Sequence, residues 1–202
     1  MASEYDIQNE QAAAWLDEFR QGRRAALDRL VEHFRRPLYG FILNMTEGRD
    51  DAEEIFQETW HRTLRHLDRL DGRRLSSWLF RVARNLVIDR ARAKKPMESL
   101  NQPLAAGELG ALPLADRLAA PGLSPAGETA GRDLGERLRR AIGQLPAEQR
   151  EVFLMRIEGE VPFREIARLQ RVSINTALAR MHYALAKLRN DLRNDYAVWV
   201  GG

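Results

Sequence analysis

Apolar residues recur along this chain with a helical period almost throughout, and no segment alternates convincingly with a period of two. Ala12, Trp15, Leu16 and Phe19 form one amphipathic stripe, which Gly22 interrupts. A second runs through Leu27, Leu30, Val31, Phe34, Leu38, Phe41 and Ile42, with Pro37 placed to bend it. A third opens on Asp50 and Asp51, acids suited to the positive end of a helix, and continues through Ile55, Phe56, Thr59, Leu64 and Leu67. A fourth carries Trp78, Leu79, Val82, Ala83, Leu86 and Val87 and ends before Pro96. The C-terminal part repeats the pattern in shorter pieces. A helix is predicted over 134–144, one opened by Pro146 and ended by Gly159, and a short one opened by Pro162. A longer helix follows, capped by Ser173 and running from Ile174 to about Asn190. The fold class predicted is all-α.

Between the two sets of stripes, residues 96–133 hold Pro96, Pro103, Pro113, Pro121 and Pro125 with Gly107, Gly110, Gly122, Gly127 and Gly131. So many helix breakers, with only Leu as large apolar filler, predict a flexible linker. The expected organisation is two small helical domains, 8–95 and 134–195, joined by that linker; 202 residues suffice for this. No run of apolar residues reaches membrane-spanning length, and no charged-then-apolar leader opens the chain. Cysteine is absent, so disulfides and thiolate metal sites are excluded and a cytoplasmic setting is expected.

Charge changes this picture through its distribution. The net value is only +3, yet residues 1–59 carry seven Arg against thirteen acids, and residues 60–95 carry eleven Arg and Lys against three. Residues 96–133 are again acidic, with two Arg against five acids, and 134–202 are basic, with twelve cations against eight. Alternating acidic and basic zones point to a phosphate-bearing partner and to a second partner for the acidic face. Solvated helix faces are the plainer alternative.

Residues 162–190 have the layout of a helix-turn-helix: a short helix, a tight turn, and a second helix with a polar N-terminal face. Arg171 in the turn and Ser173, Asn175, Thr176 and Arg180 beyond it are donors and acceptors suited to base edges and phosphates. Ile174, Ala177, Leu178, Met181 and Leu185 are expected to hold that helix to its domain. An ordinary helical bundle is the competing reading. In the N-terminal half, Asp51, Glu54 and Glu58 fall on adjoining turns with Gln57 beside them, a face suited to a basic protein groove. The following segment, Asp71 to Ser77, is expected to be a loop presenting Arg73, Arg74, Ser76 and Ser77. Trp78, Arg81, Arg84, Asn85 and Arg90 then combine an aromatic ring, cations and an amide, the set that single-stranded DNA requires. Core burial is the competing role for Trp60 and Trp78.

Taken together, these segments resemble the extracytoplasmic-function (ECF) subfamily of sigma-70-type RNA polymerase sigma factors. DAEEIFQETW (51–60) and SSWLFRVARNLVIDRAR (76–92) resemble the family's second conserved region. LPAEQREVFLMR (145–156) and EIARLQRVSINTALARMHYALAKLR (165–189) resemble its fourth. The resemblance implies a specificity subunit rather than an enzyme. Asp51, Glu54, Gln57 and Glu58 would dock on the clamp coiled coil of the core polymerase β′ subunit, and the β flap would meet the C-terminal domain. Arg73, Arg74, Ser76, Ser77, Trp78, Arg81, Arg84 and Asn85 would capture and melt the −10 element, with one base flipped into a protein pocket. Arg171, Ser173, Asn175, Thr176 and Arg180 would read the −35 duplex. An anti-sigma factor would be a further partner.

Departures from the family pattern are local. The loop before Trp78 is one residue short, with Leu75 where Phe is common. Arg171 stands where Gly is frequent, so a positive φ there would be strained. Leu178 and Tyr183 replace frequent basic residues. A helix-turn-helix regulator that binds duplex DNA without joining polymerase is the alternative. Glu58-Thr59-Trp60-His61 has the Glu-x-x-His spacing of a di-iron helix but lacks a second copy, so no metal or other cofactor and no catalytic residue is expected.

Overall fold

The computed structural model describes residues 4–94 and 135–200, and the expected linker at 96–133 lies outside them. Among the described residues every regular element is helical. They fall into two compact units.

The first unit contains α1 (Glu4–Arg20), α2 (Ala25–Met45), α3 (Arg49–Leu64) and α4 (Leu75–Lys94). Gly22, at φ +90, ends α1 in the left-handed region that glycine adopts without strain. α2 is the central helix. Its Ala26, Leu30, Phe34, Leu38 and Phe41 recur at helical spacing, and all are buried. Burying a side chain of this size fully is worth about 1.5–3 kcal/mol, so this stripe anchors the unit. The helix runs on through Pro37, whose missing N–H leaves one carbonyl without its usual helical donor. Around it pack α1, α3 and α4. On α3, Ala52, Ile55, Phe56 and Trp60 face inward, and the buried Thr59 and Thr63 hydroxyls donate to the carbonyls of Ile55 and Thr59, each at 2.7 Å.

Two boundaries differ from the sequence expectation. α3 stops at Leu64, and Leu67 is buried instead in a short 3-10 turn, Leu67–Arg69. The stretch expected as a loop, 71–77, is mostly helical. A second 3-10 turn covers Gly72–Arg74, and α4 begins at Leu75. Leu75 and Leu79 are both fully buried, and this pair one helical turn apart carries the helix back to Leu75.

The second unit contains α5 (135–143), α6 (Ala147–Ile157), α7 (Phe163–Gln170) and α8 (Ile174–Val200). Ile142, Leu145, Val152, Leu154, Ile166, Ala177 and Ala184 are buried in this unit. Pro162 sits at the N-cap of α7 rather than inside its first turn, and its carbonyl accepts from the amides of Glu165 and Ile166. α8 continues well past Asn190.

Candidate nucleic-acid interface

α3 and α4 pack side by side, and an open pocket of about 400 Å³ lies on their surface. Glu58, Arg62, Arg65 and His66 line one side, and Trp78, Val82 and Asn85 the other. Trp78 is half-buried, so neither full core burial nor full exposure describes it. Its ring lies under the Arg81 guanidinium at 4.3 Å and meets His66 edge-on at 5.6 Å. Its indole N–H is buried and has no hydrogen-bond partner. Trp60, by contrast, is a core residue, 6% exposed.

Glu58 accepts a hydrogen bond from Arg62 at 2.7 Å and contacts His61 at 3.4 Å. The bond from Arg62, aided by His61, holds its carboxyl below the usual carboxylate range. The pocket therefore presents an ionised acceptor, two guanidiniums, an imidazole, an amide and a ring face. Those groups match a planar, hydrogen-bonding heterocycle on a phosphate chain. Arg73, Arg74, Arg81 and Asn85 are exposed, and Ser77 and Arg84 are half-buried. Ser76 is buried in the first turn of α4, the one member of the expected set that the fold withdraws from the surface.

The acidic face of α3 is less open than its spacing implies. Asp51 accepts from Lys94 at 2.5 Å and pairs with Arg90 at 3.4 Å, leaving its side chain 18% exposed. Glu54 also pairs with Arg90, and Glu47 with Lys94 at 3.5 Å. The carboxylates raise the Lys94 ammonium, the Asp51 hydrogen bond contributing most. Of the four expected docking residues, Glu54 and Gln57 are exposed, Glu58 is half-buried, and Asp51 chiefly ties α3 to the end of α4.

The second unit has the helix-turn-helix geometry. α7 ends in a left-handed residue, Arg171 (φ 56, ψ 44), and the Val172 amide reaches back to the Ala167 carbonyl at 3.0 Å. This is the closing pattern that glycine usually serves. Ser173 caps α8: its hydroxyl accepts from the Thr176 amide at 3.1 Å. Ser173, Asn175, Thr176 and Arg171 are exposed. Arg180 is half-buried and donates to Gln170 at 2.6 Å, while the Gln170 amide donates to the Glu148 carbonyl and the Glu151 carboxylate. The expected apolar anchor of α8 needs correction. Ala177, Ala184 and Leu188 are buried and Met181 half-buried, but Ile174, Leu178 and Leu185 are 47, 44 and 44% exposed. The two small Ala side chains bring the helix close along one narrow line, and the larger residues flank it.

With this geometry in place, the comparisons decide between the readings. Residues 30–96 match the Sigma-70 region 2 model, and residues 135–188 match the Sigma-70, region 4 model. The chain belongs to the ECF sigma factors. It is 28% identical over 180 residues to the ECF RNA polymerase sigma factor SigW of Bacillus subtilis (strain 168), covering 89% of this chain and 95% of that relative. It is 27% identical over 172 residues to SigM of the same organism, covering 84% and 98%. The fold is similar to that of the sigma factor RpoE from Bartonella quintana, in complex there with the anti-sigma factor NepR. That match has a TM-score of 0.59 at 20% identity, over 83% of this chain and 96% of that one. As an ECF sigma factor the protein directs promoter-specific transcription by RNA polymerase. No helix among the described residues is long and apolar enough to cross a membrane.

In this sigma factor the pocket adds Arg62, Arg65, His66 and Val82 to the residues expected from sequence. A signal was there for two of them: Arg62 and Arg65 follow Glu58 at four and seven positions, on one helical face. Arg65 caps α3 in a helical conformation, whereas His66, one residue further at φ −119, leaves the helical path, so helical spacing carries no signal for it.

Proposed function

We propose that the pocket between α3 and α4 receives an unstacked base of the −10 element during promoter opening. The observation that carries this is the Arg81–Trp78–His66 array beside an ionised Glu58 and the Asn85 amide. A ring between a cation and an imidazole offers a stacking surface worth about 1–3 kcal/mol per base. Arg73, Arg74 and Arg84 supply phosphate contacts around it. Glu54 and Gln57 dock on the β′ clamp coiled coil of core polymerase, with Asp51 tying α3 to α4 beside them and Glu58 at the edge where this face meets the pocket, and the β flap engages the 134–195 domain. Arg171, Ser173, Asn175 and Thr176 address the −35 duplex, with Arg180 beside them. The 8–95 and 134–195 segments act as the two promoter-reading domains. The chain contributes no catalytic residue, works in the cytoplasm, and is held in check by an anti-sigma factor. Support for that last partner is the RpoE fold match, solved with NepR.

Run-off transcription by core polymerase on fragmented genomic DNA tests the reading. Start sites that need this protein and share paired elements near −35 and −10 are expected. An absence of such starts, together with no binding to core enzyme, would leave only a duplex-binding regulator.

A further inference from the structure

The turn that leads into the −10 pocket is held from outside the region 2 match. Between Leu67 and Gly72 the backbone makes two short-range bonds, from the Arg69 amide to the His66 carbonyl at 3.0 Å and from the Leu70 amide to the Leu67 carbonyl at a long 3.4 Å. Its carbonyls are gathered as well by Arg20, in the last turn of α1. Arg20 Nη2 contacts the carbonyl oxygens of Leu67 at 3.2 Å, Asp68 at 3.1 Å and Leu70. Nη1 of the same guanidinium donates to Asp17 at 3.1 Å, which fixes its plane. A second attachment lies just beyond. A Cβ on Gly72 would sit 2.4 Å from Ala13 Cα, so the turn touches the α1 backbone where only hydrogen fits. From there Arg73 and Arg74 lead into α4 and Trp78. Residues 67–74 are thus fastened to α1 at two points, although α1 precedes the matched residues 30–96.

We infer that α1 is a positioning element for −10 recognition, with Arg20 as its positioning residue. Arg20 touches no nucleic acid. It fixes the path of 67–72, and so the approach of Arg73, Arg74 and Trp78 to the strand. A planar guanidinium suits the task because its fork presents several donors in fixed directions, which an ammonium on a flexible stem does not. The inference rests on the proposed −10 role for its consequence, but the brace itself is a property of the free protein.

Both parts are tested with Arg20→Gln, Arg20→Lys and, as a control, Asp17→Asn in the full chain. Hydrogen exchange in the free protein should speed up at amides 69–74 in Arg20→Gln while α2 and α4 keep their protection. Unchanged exchange in the turn would overturn the brace. With core polymerase, Arg20→Gln should bind a single-stranded −10 oligonucleotide roughly tenfold more weakly, and select its sequence less sharply from a randomised pool. Core affinity and −35 duplex binding should hold, Arg20→Lys should recover only part of the loss, and Asp17→Asn should stay near wild type. Loosened exchange with unaltered −10 affinity and selection would overturn the positioning role. If Arg20→Gln fails to fold, the comparison of Arg20→Lys with Asp17→Asn decides the matter by the same readouts. Wild-type holoenzyme lacking −10 selectivity would instead sink the pocket assignment, and the exchange result would still judge the brace.

Discussion

At Arg171 a side chain occupies backbone space that glycine fills at no steric cost. The φ of 56 closes α7 and aims Ser173 at the first turn of α8, so the turn is retained and the residue bears the strain. Relieving it with Arg171→Gly should stabilise the second unit by about 1 kcal/mol, seen as a higher denaturant midpoint. The gain should come with weaker duplex binding if the exposed guanidinium meets a phosphate, and with unchanged binding if it does not. Sequence alone identifies this position, because the residue type and the turn geometry conflict there. Arg20 offers no comparable signal: its carbonyl partners lie 47 to 50 residues away, and no local pattern links them.

Among the elements, α3 shows how one helical spacing can hide two roles. Asp51, Glu54 and Glu58 share a face, yet Asp51 is drawn into the Lys94 and Arg90 pairs while Gln57 stands exposed. Asp51→Asn should therefore lower stability by about 1 kcal/mol, the scale of a partly buried pair with two cationic partners. Gln57→Arg should leave the melting temperature alone and weaken core-polymerase binding by about tenfold through like-charge contact with a basic groove. A melting temperature that drops equally in both variants would remove the distinction. The helices themselves were legible because stripes such as Leu30–Phe34–Leu38–Phe41 recur at one period over several turns. Their ends were less so. Trp60, Thr63 and Leu67 keep the stripe going past Leu64, since a 3-10 turn buries residues at nearly the same spacing. On α8 the apolar stripe is wider than the line of contact, and periodicity cannot tell Ala177 from Leu178.

For the molecule as a whole, stability and charge belong to different parts of the chain. His33 joins α1 to α2, with its ring 5.4 Å from Trp15 and 4.8 Å from Phe34. Burial lowers its pKa from the ordinary 6.5. The unfolded chain then takes up the proton first as pH falls. The first unit should keep full stability above that value and lose part of it progressively below, between the unfolded and the lowered folded pKa. Urea unfolding at about pH 8 and about pH 5.5, for wild type and for His33→Phe, would check this. The wild-type difference should shrink in the variant; an equal difference would assign the pH effect to other groups. Because His33 lies under α1, the same protonation would loosen the helix that braces the −10 turn.

Gln170 joins the end of α7 to α6 through two donated bonds and receives a third from Arg180 on α8. An exposed arginine sweeps through many rotamers, and freezing them on contact costs roughly 2 kcal/mol. Arg180 has given up much of that freedom before any DNA arrives. On the proposed reading, the recognition helix approaches the −35 duplex with one cation already immobile. Such a reader cannot adjust its reach to accommodate a displaced groove, so tolerance for altered −35 geometry should be narrow, and removing the Gln170 anchor should widen it.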